Sequence, residues 1–534
     1  MKQAFIGVDV GTSSARAGVF DESGKLLATA RHPITIWHEA GSVVEQSSSD
    51  VWAACVTSVR AVMAEAALSP SAVKGMGFDA TCSLVVLDAG GNPLTVSASG
   101  DERRNVIVWM DHRATAEARL VNDTHDDVLR YVGGSISPEM ELPKLLWLKC
   151  HLPSTYNAAG HFLDLADYLS FRATGSAARS TCTVTCKWNF LAHEQRWSGS
   201  YFERIGLGEL ASDGYARIGK DIVAPGTPLG AGLTTSAALD FGLLKGTPVG
   251  ASLIDAHAGG VGMIGGRVKS KGAVDVCGRL AYIMGTSACI MATTTEPRFV
   301  PGVWGPYYSG MVPGFWLNEG GQSAAGAAID HLIRSHPAYN EVVAAARAVG
   351  METLEFLEQR IVSRSANPGA AALFARDVHV LPEFLGNRSP FADPHSRAIV
   401  AGLDLDANGA AVRGQLVRAR LRPCRCRRCL SRARCRQRFD GDRRRRRTEL
   451  AGPADHGGYD RPDRCPSRNT GAGSARSGHA GCGRRQVLQI NRRSHGLDVD
   501  DRLAERTDHA GNVRVPPVEA AGPWIDATTG PGKP

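Results

Sequence analysis

Asp9-Val10-Gly11-Thr12-Ser13-Ser14-Ala15-Arg16 lies between two apolar runs, Ala4–Val8 and Ala17–Phe20, the second ending in the turn Asp21-Glu22-Ser23-Gly24. The pattern predicts a β-hairpin whose tight connection carries a glycine, three hydroxyls and a strand-end carboxylate. Backbone N–H groups freed at Gly11, with the Thr12 and Ser13 hydroxyls, can hydrogen-bond phosphate oxygens. Asp9 can hold Mg²⁺ through water, because that ion dehydrates reluctantly and takes only one or two carboxylates. An ordinary hairpin with Ser and Thr in its turn would read the same, since short Gly/Ser/Thr strings recur by accident.

Outward from the hairpin, strands are predicted at Ala4–Asp9, Ala15–Phe20 and Leu26–Pro33, followed by a helix from Asp50 to about Leu68. Asp50 is the expected N-cap, and Val51, Cys55, Val59 and Val62 keep one face apolar. A strand at Val73–Phe78 delivers Asp79-Ala80-Thr81-Cys82, and Leu84–Leu87 returns through the turn Asp88–Asn92. This is an α/β pattern with polar residues at strand ends. The Gly/Pro-rich passages Ala224–Gly230 and Gly246-Thr247-Pro248 mark an expected boundary, dividing a first domain, 1–248, from a second, 249–412. The second is expected to open with the strand Val249–Ile254 and to continue with a hairpin, Ala281–Met284 and Cys289–Thr293, around Gly285-Thr286-Ser287. Gly-Thr-Ser thus occurs twice, each time between strands. Two α/β halves offering hydroxyl-rich turns to one cleft is the economical reading; coincidence of a three-residue string is the other.

The 534 residues suffice for two or more domains with real cores. With no 18-residue apolar run, and an N-terminus that enters a strand directly, neither a membrane span nor a signal peptide is expected, and a cytoplasmic enzyme is. The net charge of +8 is uneven. Residues 413–534 carry 27 Arg, one Lys and 13 acidic residues, a net of +15, which leaves −7 for residues 1–412. That tail holds six of the 13 cysteines and only Phe439, Tyr459 and Trp524 as aromatics. It shows no sustained period, so it is read as unable to bury enough apolar surface to order itself. Three readings compete. Cys426 and Cys429 make one C-x₂-C pair, but Cys424, Cys435, Cys465 and Cys482 complete no zinc pattern. An arginine-rich arm would bind nucleic acid through phosphates, though such arms usually mix Lys with Arg. The preferred reading is a frameshift in a GC-rich gene, which yields Arg, Gly, Pro, Ala and Cys in this excess.

A resemblance then covers about residues 3–405. It rests on Gly7–Arg16, on Gly77–Leu84 (Gly-Phe-Asp-Ala-Thr-Cys-Ser-Leu) and on Trp109-Met110-Asp111-His112-Arg113. It continues through Glu139–Leu148, Thr183–Trp188 (Thr-Val-Thr-Cys-Lys-Trp) and Ile254-Asp255-Ala256-His257-Ala258-Gly259. Met284–Ser287, Glu319-Gly320-Gly321-Gln322-Ser323 and Gly386-Asn387-Arg388-Ser389-Pro390 complete the order. With these motifs the chain resembles the FGGY carbohydrate kinases of the actin-like ATPase superfamily, and among them the ribulokinase-like pentulose kinases. The resemblance implies two RNase H-like domains flanking a cleft, the second incomplete here, and ATP-dependent phosphorylation of a sugar hydroxyl. Phe78–Cys82 looks most like the branch acting on D-ribulose at O5, with L-ribulose and xylulose remaining open.

The resemblance implies Asp255 as the catalytic base, although an Asp following a strand also reads as a helix N-cap. It implies Cys82, Lys187, Asp255 and Glu319 as pentulose contacts; Lys187 beside Trp188 also reads as a snorkelling surface residue and Glu319 as a solvated loop acid. Gly11, Thr12, Ser13 and Arg16 on one side, and Gly285, Thr286 and Ser287 on the other, are expected around the phosphates of ATP, with Mg²⁺ at Asp9 and Asp255. His257 reads as a core or supporting histidine. Trp109, Asp111 and Arg113 read as cleft wall or as an internal ion pair. In the family the segment after Gly402-Leu403-Asp404-Leu405 builds the adenosine site; here it is replaced, so weak or absent ATP binding is expected. The expected partners are a pentulose and ATP, neither membrane nor nucleic acid, and a second copy in a homodimer. The alternatives are a catalytically dead sugar-binding or regulatory protein with a nucleic-acid-binding tail, and an ATPase acting on a protein partner, against which the Glu141–Trp147 and Thr183–Trp188 motifs argue.

Overall fold

The computed structural model describes residues 3–402 except 41, 268–273, 366, 368, 369, 392 and 394. All lie in one compact unit that ends at Gly452; the other unit, Pro453–Pro534, and the whole Arg/Cys-rich tail fall outside the described residues. So do the expectations placed on that tail: frameshift, zinc and nucleic-acid arm.

The opening hairpin is present. Strands β1 (Ala4–Val10) and β2 (Ser14–Asp21) pair antiparallel, with Asp9 opposite Arg16, and β3 (Leu26–Pro33) extends the sheet. In β1 the residues Ala4, Ile6, Val8 and Val10 are buried in alternation, which fixes register, since a one-residue slip would turn the apolar set to solvent. Helix α1 (Ser48–Glu65) covers β2 and β3 with Val51, Trp52, Cys55, Val59 and Val62. Its N-cap is Ser47, whose Oγ accepts the Asp50 N–H at 3.3 Å; Asp50, expected as the cap, sits one turn in and takes the Thr35 N–H at 2.7 Å instead.

Strand β4 (Val73–Ala80) runs parallel to β1, and β5 (Val249–Ile254) runs parallel to β4, giving the order β5-β4-β1-β2-β3. This differs from the sequence expectation, which opened a second domain at Val249. The Gly/Pro passages before it form a loop that returns the chain to the first sheet, where Pro228 bridges to Gly250 and the Leu229 N–H reaches the Val249 carbonyl. Helix α2 (Leu165–Thr174) packs across β4 and β5, and one apolar cluster joins Phe78, Leu165, Leu169 and Phe241 to the α1 side chains.

A second sheet, all antiparallel, has the order β6 (Leu280–Met284), β7 (Ala288–Thr294), β9 (Trp316–Gln322), β8 (Trp304–Tyr308). The expected hairpin around Gly285-Thr286-Ser287 is there, with Met284 opposite Ala288. The short helix α3 (Thr181–Lys187) lies beside β5 and β8, and helix α4 (Asp255–Gly265) leaves β5 and packs on β6. Gly259 and Gly260 let α4 approach closely: a Cβ on Gly259 would stand 2.9 Å from Ile283 Cδ1, and one on Gly260 2.6 Å from Met311 Sδ. Among the described residues no helix is long and apolar enough to cross a membrane.

Candidate active site

The parallel strands β1, β4 and β5 end at the same edge, and each delivers a carboxylate there. Asp9 is in register with Asp79, Leu253 with Asp79, and Asp255 follows β5 directly. Ligands of open α/β sheets bind beyond the carboxyl ends of strands, so this edge is where chemistry is expected. Burial pushes the Asp255 carboxyl up to about 6; the Ala256 N–H, 2.7 Å away, opposes the rise and Asp9 adds to it. Burial, then Asp9 and Asp255, also raise Asp79. Asp255 is the first residue of α4, and among the described residues its side chain bonds only the next N–H, so it does not serve as the cap it resembles in sequence. Nothing in the sequence pairs Asp79 with Asp9, because their parallel register is invisible until strand pairing is known.

The first Gly-Thr-Ser turn borders these acids. Arg16 Nη2 lies 3.2 Å from Asp9 Oδ2 and folds over Gly11, where a Cβ would meet it at 2.8 Å. Trp109 Nε1 donates to Thr12 Oγ1 at 3.0 Å and Gln46 Nε2 to the Thr12 carbonyl at 2.7 Å, while Ser13 stays exposed. Trp109 therefore supports the turn. Asp111 and Arg113 form the internal pair that the sequence left open: they are 2.7 Å apart and buried, with Arg113 also 2.8 Å from Glu45.

The second turn reaches the same end of α4. Ile283 packs on Gly259 while Arg279 Nη1 bonds the Ile264 carbonyl at 2.5 Å, so β6 runs antiparallel to α4 and its final residues approach the Asp255 end. The turn is anchored from behind, because the Gly285 and Thr286 carbonyls accept N–H groups from the start of helix α5 (Gly326–Ser335): Gly326 at 3.0 Å, Ala325 at 2.9 Å and Ala327 at 3.2 Å. Gly285 and Thr286 stay exposed, with Ser287 partly so.

The four expected sugar contacts come together. Lys187 is buried at the C-terminus of α3, its Nζ 4.4 Å from the Trp304 ring centre, and it has no hydrogen-bond acceptor among the described residues. It is not a snorkelling surface residue. Burial would lower its pKa, but the neighbouring Cys82 and Glu319 outweigh that and raise it. Burial pushes the Cys82 thiol up to about 12. Glu319 is buried in β9, not solvated in a loop; burial works against its charge, yet the His257 hydrogen bond and Lys187 hold its carboxyl far below the usual range. Asp255 feels Lys187 as well, which places it in the same cluster.

A buried carboxylate explains how α3 is held there. Asp167 on α2 accepts from Arg179 Nε and Thr183 Oγ1, each at 2.6 Å, from the Ser180 N–H at 3.1 Å and from Ser252 Oγ on β5 at 3.3 Å. His257, read in sequence as supporting, is buried with Nδ1 3.1 Å from Cys182 Sγ and Nε2 3.1 Å from Glu319 Oε2. Arg388 has a place that the sequence alone does not reveal. It is buried between Trp109 and Trp304, at 5.5 and 5.2 Å, and paired with Glu139 at 3.0 Å. Burial opposes the charge on Glu139, but Arg388 and His112 bring its carboxyl down to about 2.

Comparison with known proteins agrees with this architecture. The N-terminal domain of the FGGY family of carbohydrate kinases matches residues 4–262 and the C-terminal domain of that family matches 280–422. The first match includes β5 and Asp255; the second runs past the composition change near Val412. The human FGGY carbohydrate kinase domain-containing protein is 49% identical over 407 residues, 75% of this chain and 73% of that protein. A D-ribulokinase of Saccharomyces cerevisiae is 39% identical over 430 residues, 75% of this chain and 60% of that one. Among solved structures, gluconate kinase from Lactobacillus acidophilus superposes with a TM-score of 0.60 at 17% identity, covering 78% of this chain and 75% of its own. Xylulose kinase from Rhodospirillum rubrum gives 0.58 at 20% identity with the same coverage. These two show the fold: mixed α/β in the two-domain, actin-like arrangement.

Proposed function

Because the chain belongs to the FGGY family of carbohydrate kinases, we propose that its sugar is a pentulose, D-ribulose, phosphorylated at O5 with ATP as the donor. The observation that carries this reading is the convergence of Cys82, Lys187 and Glu319 with Asp255, whose carboxyl is also within the field of Asp9. A polyhydroxylated ketose needs donors and acceptors matched to each hydroxyl, and a lysine without an acceptor beside two carboxylates supplies both. Identity with the yeast D-ribulokinase supports the choice of ketose.

In the proposed reaction Asp255 accepts the O5 proton as O5 attacks the γ-phosphorus in line; the new O–P bond forms as the bond to the ADP oxygen breaks. Phosphoryl transfer needs alignment and charge neutralisation more than covalent help. Thr12, Ser13 and Arg16 on one side, and Thr286 and Ser287 on the other, supply donors to the phosphate oxygens, whereas the Gly11 and Gly285 N–H groups expected there are already given to the Ser14 and Ser287 carbonyls within their turns. The donor set fits Mg²⁺: Asp9 and Asp255 are hard oxygen ligands, and Asp9 adds to the raising of both Asp255 and Asp79 by burial, an excess of negative charge that a divalent cation would relieve. Among the described residues no three His, Cys, Asp or Glu side chains form a ready-made cage, so Asp9 and Asp255 would hold the ion with water and phosphate completing its shell. Bound there, Mg²⁺ supplies charge neutralisation.

Adenosine binding belongs, by resemblance, to the segment after Leu405, and the match covers 73% of the human relative. We therefore propose strong sugar binding with weak ATP binding in this chain. Separate titrations with D-ribulose, L-ribulose, D-xylulose and ATP, together with ADP release at saturating D-ribulose, test this. Tightest binding of D-ribulose is expected; ADP release at a rate typical of an intact sugar kinase would refute the weak-ATP part, and no pentulose binding would refute the whole.

A further inference from the structure

We infer that Cys182 and His257 are positioning residues that hold the Glu319 carboxylate in place for the sugar, an inference that rests on the pentulose reading above. The two ring nitrogens of His257 are both engaged, 3.1 Å from Cys182 Sγ and 3.1 Å from Glu319 Oε2, and the three side chains are buried. Glu319 is ionised, so it can only accept; Nε2 must therefore carry its proton toward the carboxylate. The orientation of the buried ring is set by what its other nitrogen meets. At Nδ1 the nearest partner is Cys182, with Cys186 Sγ at 4.0 Å. The Cys182 sulfur is itself fixed, because it accepts the Ile254 N–H at 3.4 Å, at the very end of the strand that delivers Asp255.

The chain of contacts joins three elements that each bring one part of the site. Cys182 lies on α3, five residues before Lys187; His257 lies on α4, two residues after Asp255; Glu319 lies on β9 of the second sheet. With Cys182 removed, Nδ1 loses its 3.1 Å partner and keeps only Cys186 Sγ, 4.0 Å away, so the ring is free to rotate off Glu319. An unpaired buried polar group of this kind carries its full desolvation penalty, and the carboxylate would turn away. Lys187, Arg388 and Cys289 also act on Glu319, but His257, two residues after Asp255, is its hydrogen-bond partner from the helix that begins with Asp255.

The test is calorimetric titration of the full chain with D-ribulose, for the wild type, Cys182→Ala, Cys182→Ser, His257→Asn, Glu319→Gln and the double variant Cys182→Ala/Glu319→Gln. Cys182→Ala and His257→Asn are expected to weaken D-ribulose about tenfold, and Cys182→Ser, whose hydroxyl still meets Nδ1, to recover most of that loss. Because Cys182 acts through Glu319, the double variant is expected to bind no worse than Glu319→Gln alone. Fully additive losses, or affinities unchanged in both His257→Asn and the cysteine variants while Glu319→Gln binds weakly, overturn the inference and leave the pentulose reading standing. Should Cys182→Ala not fold, His257→Asn against Cys182→Ser decides on the same criteria. A wild type that binds no pentulose overturns the pentulose reading, and this inference with it.

Discussion

Asp255 is subject to opposing influences whose balance suits a base. The N-terminus of α4 and the Ala256 N–H favour its charged form, whereas burial and the Asp9 carboxylate disfavour it, and the outcome is a carboxyl near 6. A group poised there is largely ionised at neutral pH yet basic enough to take a hydroxyl proton in flight. We expect Asp255→Asn to keep D-ribulose affinity within a few-fold of wild type while ADP release falls about 10²–10⁴-fold, read by parallel titration and coupled assay. Equal turnover would remove Asp255 from the chemistry. This residue, with Cys82, Lys187 and Glu319, was legible in the sequence because short motifs carry residue type and order. Asp79, Arg388 and the Cys182–His257–Glu319 chain were not, because each gains its meaning from a partner 62 or more positions away.

Elements hold these residues through a few buried polar joints, and each joint makes a separate prediction. Asp167 ties α2, the start of α3 and β5 together through four hydrogen bonds. Removing one partner of such a buried network strands Arg179, and Asp167→Ala is expected to cost about 3–5 kcal/mol in urea unfolding and to weaken D-ribulose through Lys187. An unchanged unfolding midpoint would show that the joint is idle. Gly326 permits the second turn to close: a Cβ there would stand 2.5 Å from the Gly285 carbonyl oxygen, a backbone atom with nowhere to go. Gly326→Ala should therefore weaken whatever ATP binding the chain has and spare D-ribulose. Glu141, buried beside Lys144 at 3.4 Å, is pushed up to about 7 by burial. Its folded pKa lies above the unfolded value, so the folded state holds the proton more tightly and stability declines as pH rises between about 4.5 and 7. Glu141→Gln should flatten the melting temperature across that window; an unchanged slope would assign the decline elsewhere. Strand limits were predictable from alternation to within two residues, as β1 to β4 illustrate. The assignment of β5 was not, since a parallel strand buried on both faces looks alike wherever it pairs.

At the scale of the whole molecule, one strand and one helix link two of the sheets: β5 completes the first, and α4 leaves it to pack on β6 of the second. The proposed sugar pocket would draw Cys82 and Asp255 from the ends of first-sheet strands and Glu319 from the second sheet, and so would depend on both being folded and in place. The proposed phosphate contacts would be shared in the same way, while the adenosine contacts, by resemblance, belong to sequence after Leu405. The account therefore separates the two ligands, and a thermal shift series should show stabilisation by millimolar D-ribulose and little by millimolar ATP. The most direct measurement of the central claim is a calorimetric titration of D-ribulose into the wild-type chain and into Lys187→Met, which removes the buried ammonium and keeps most of the packing on Trp304. The account predicts saturable one-to-one binding by the wild type and binding at least about tenfold weaker by the variant. Wild-type protein that shows no saturable heat, or a Lys187→Met variant that binds D-ribulose as tightly, would contradict it.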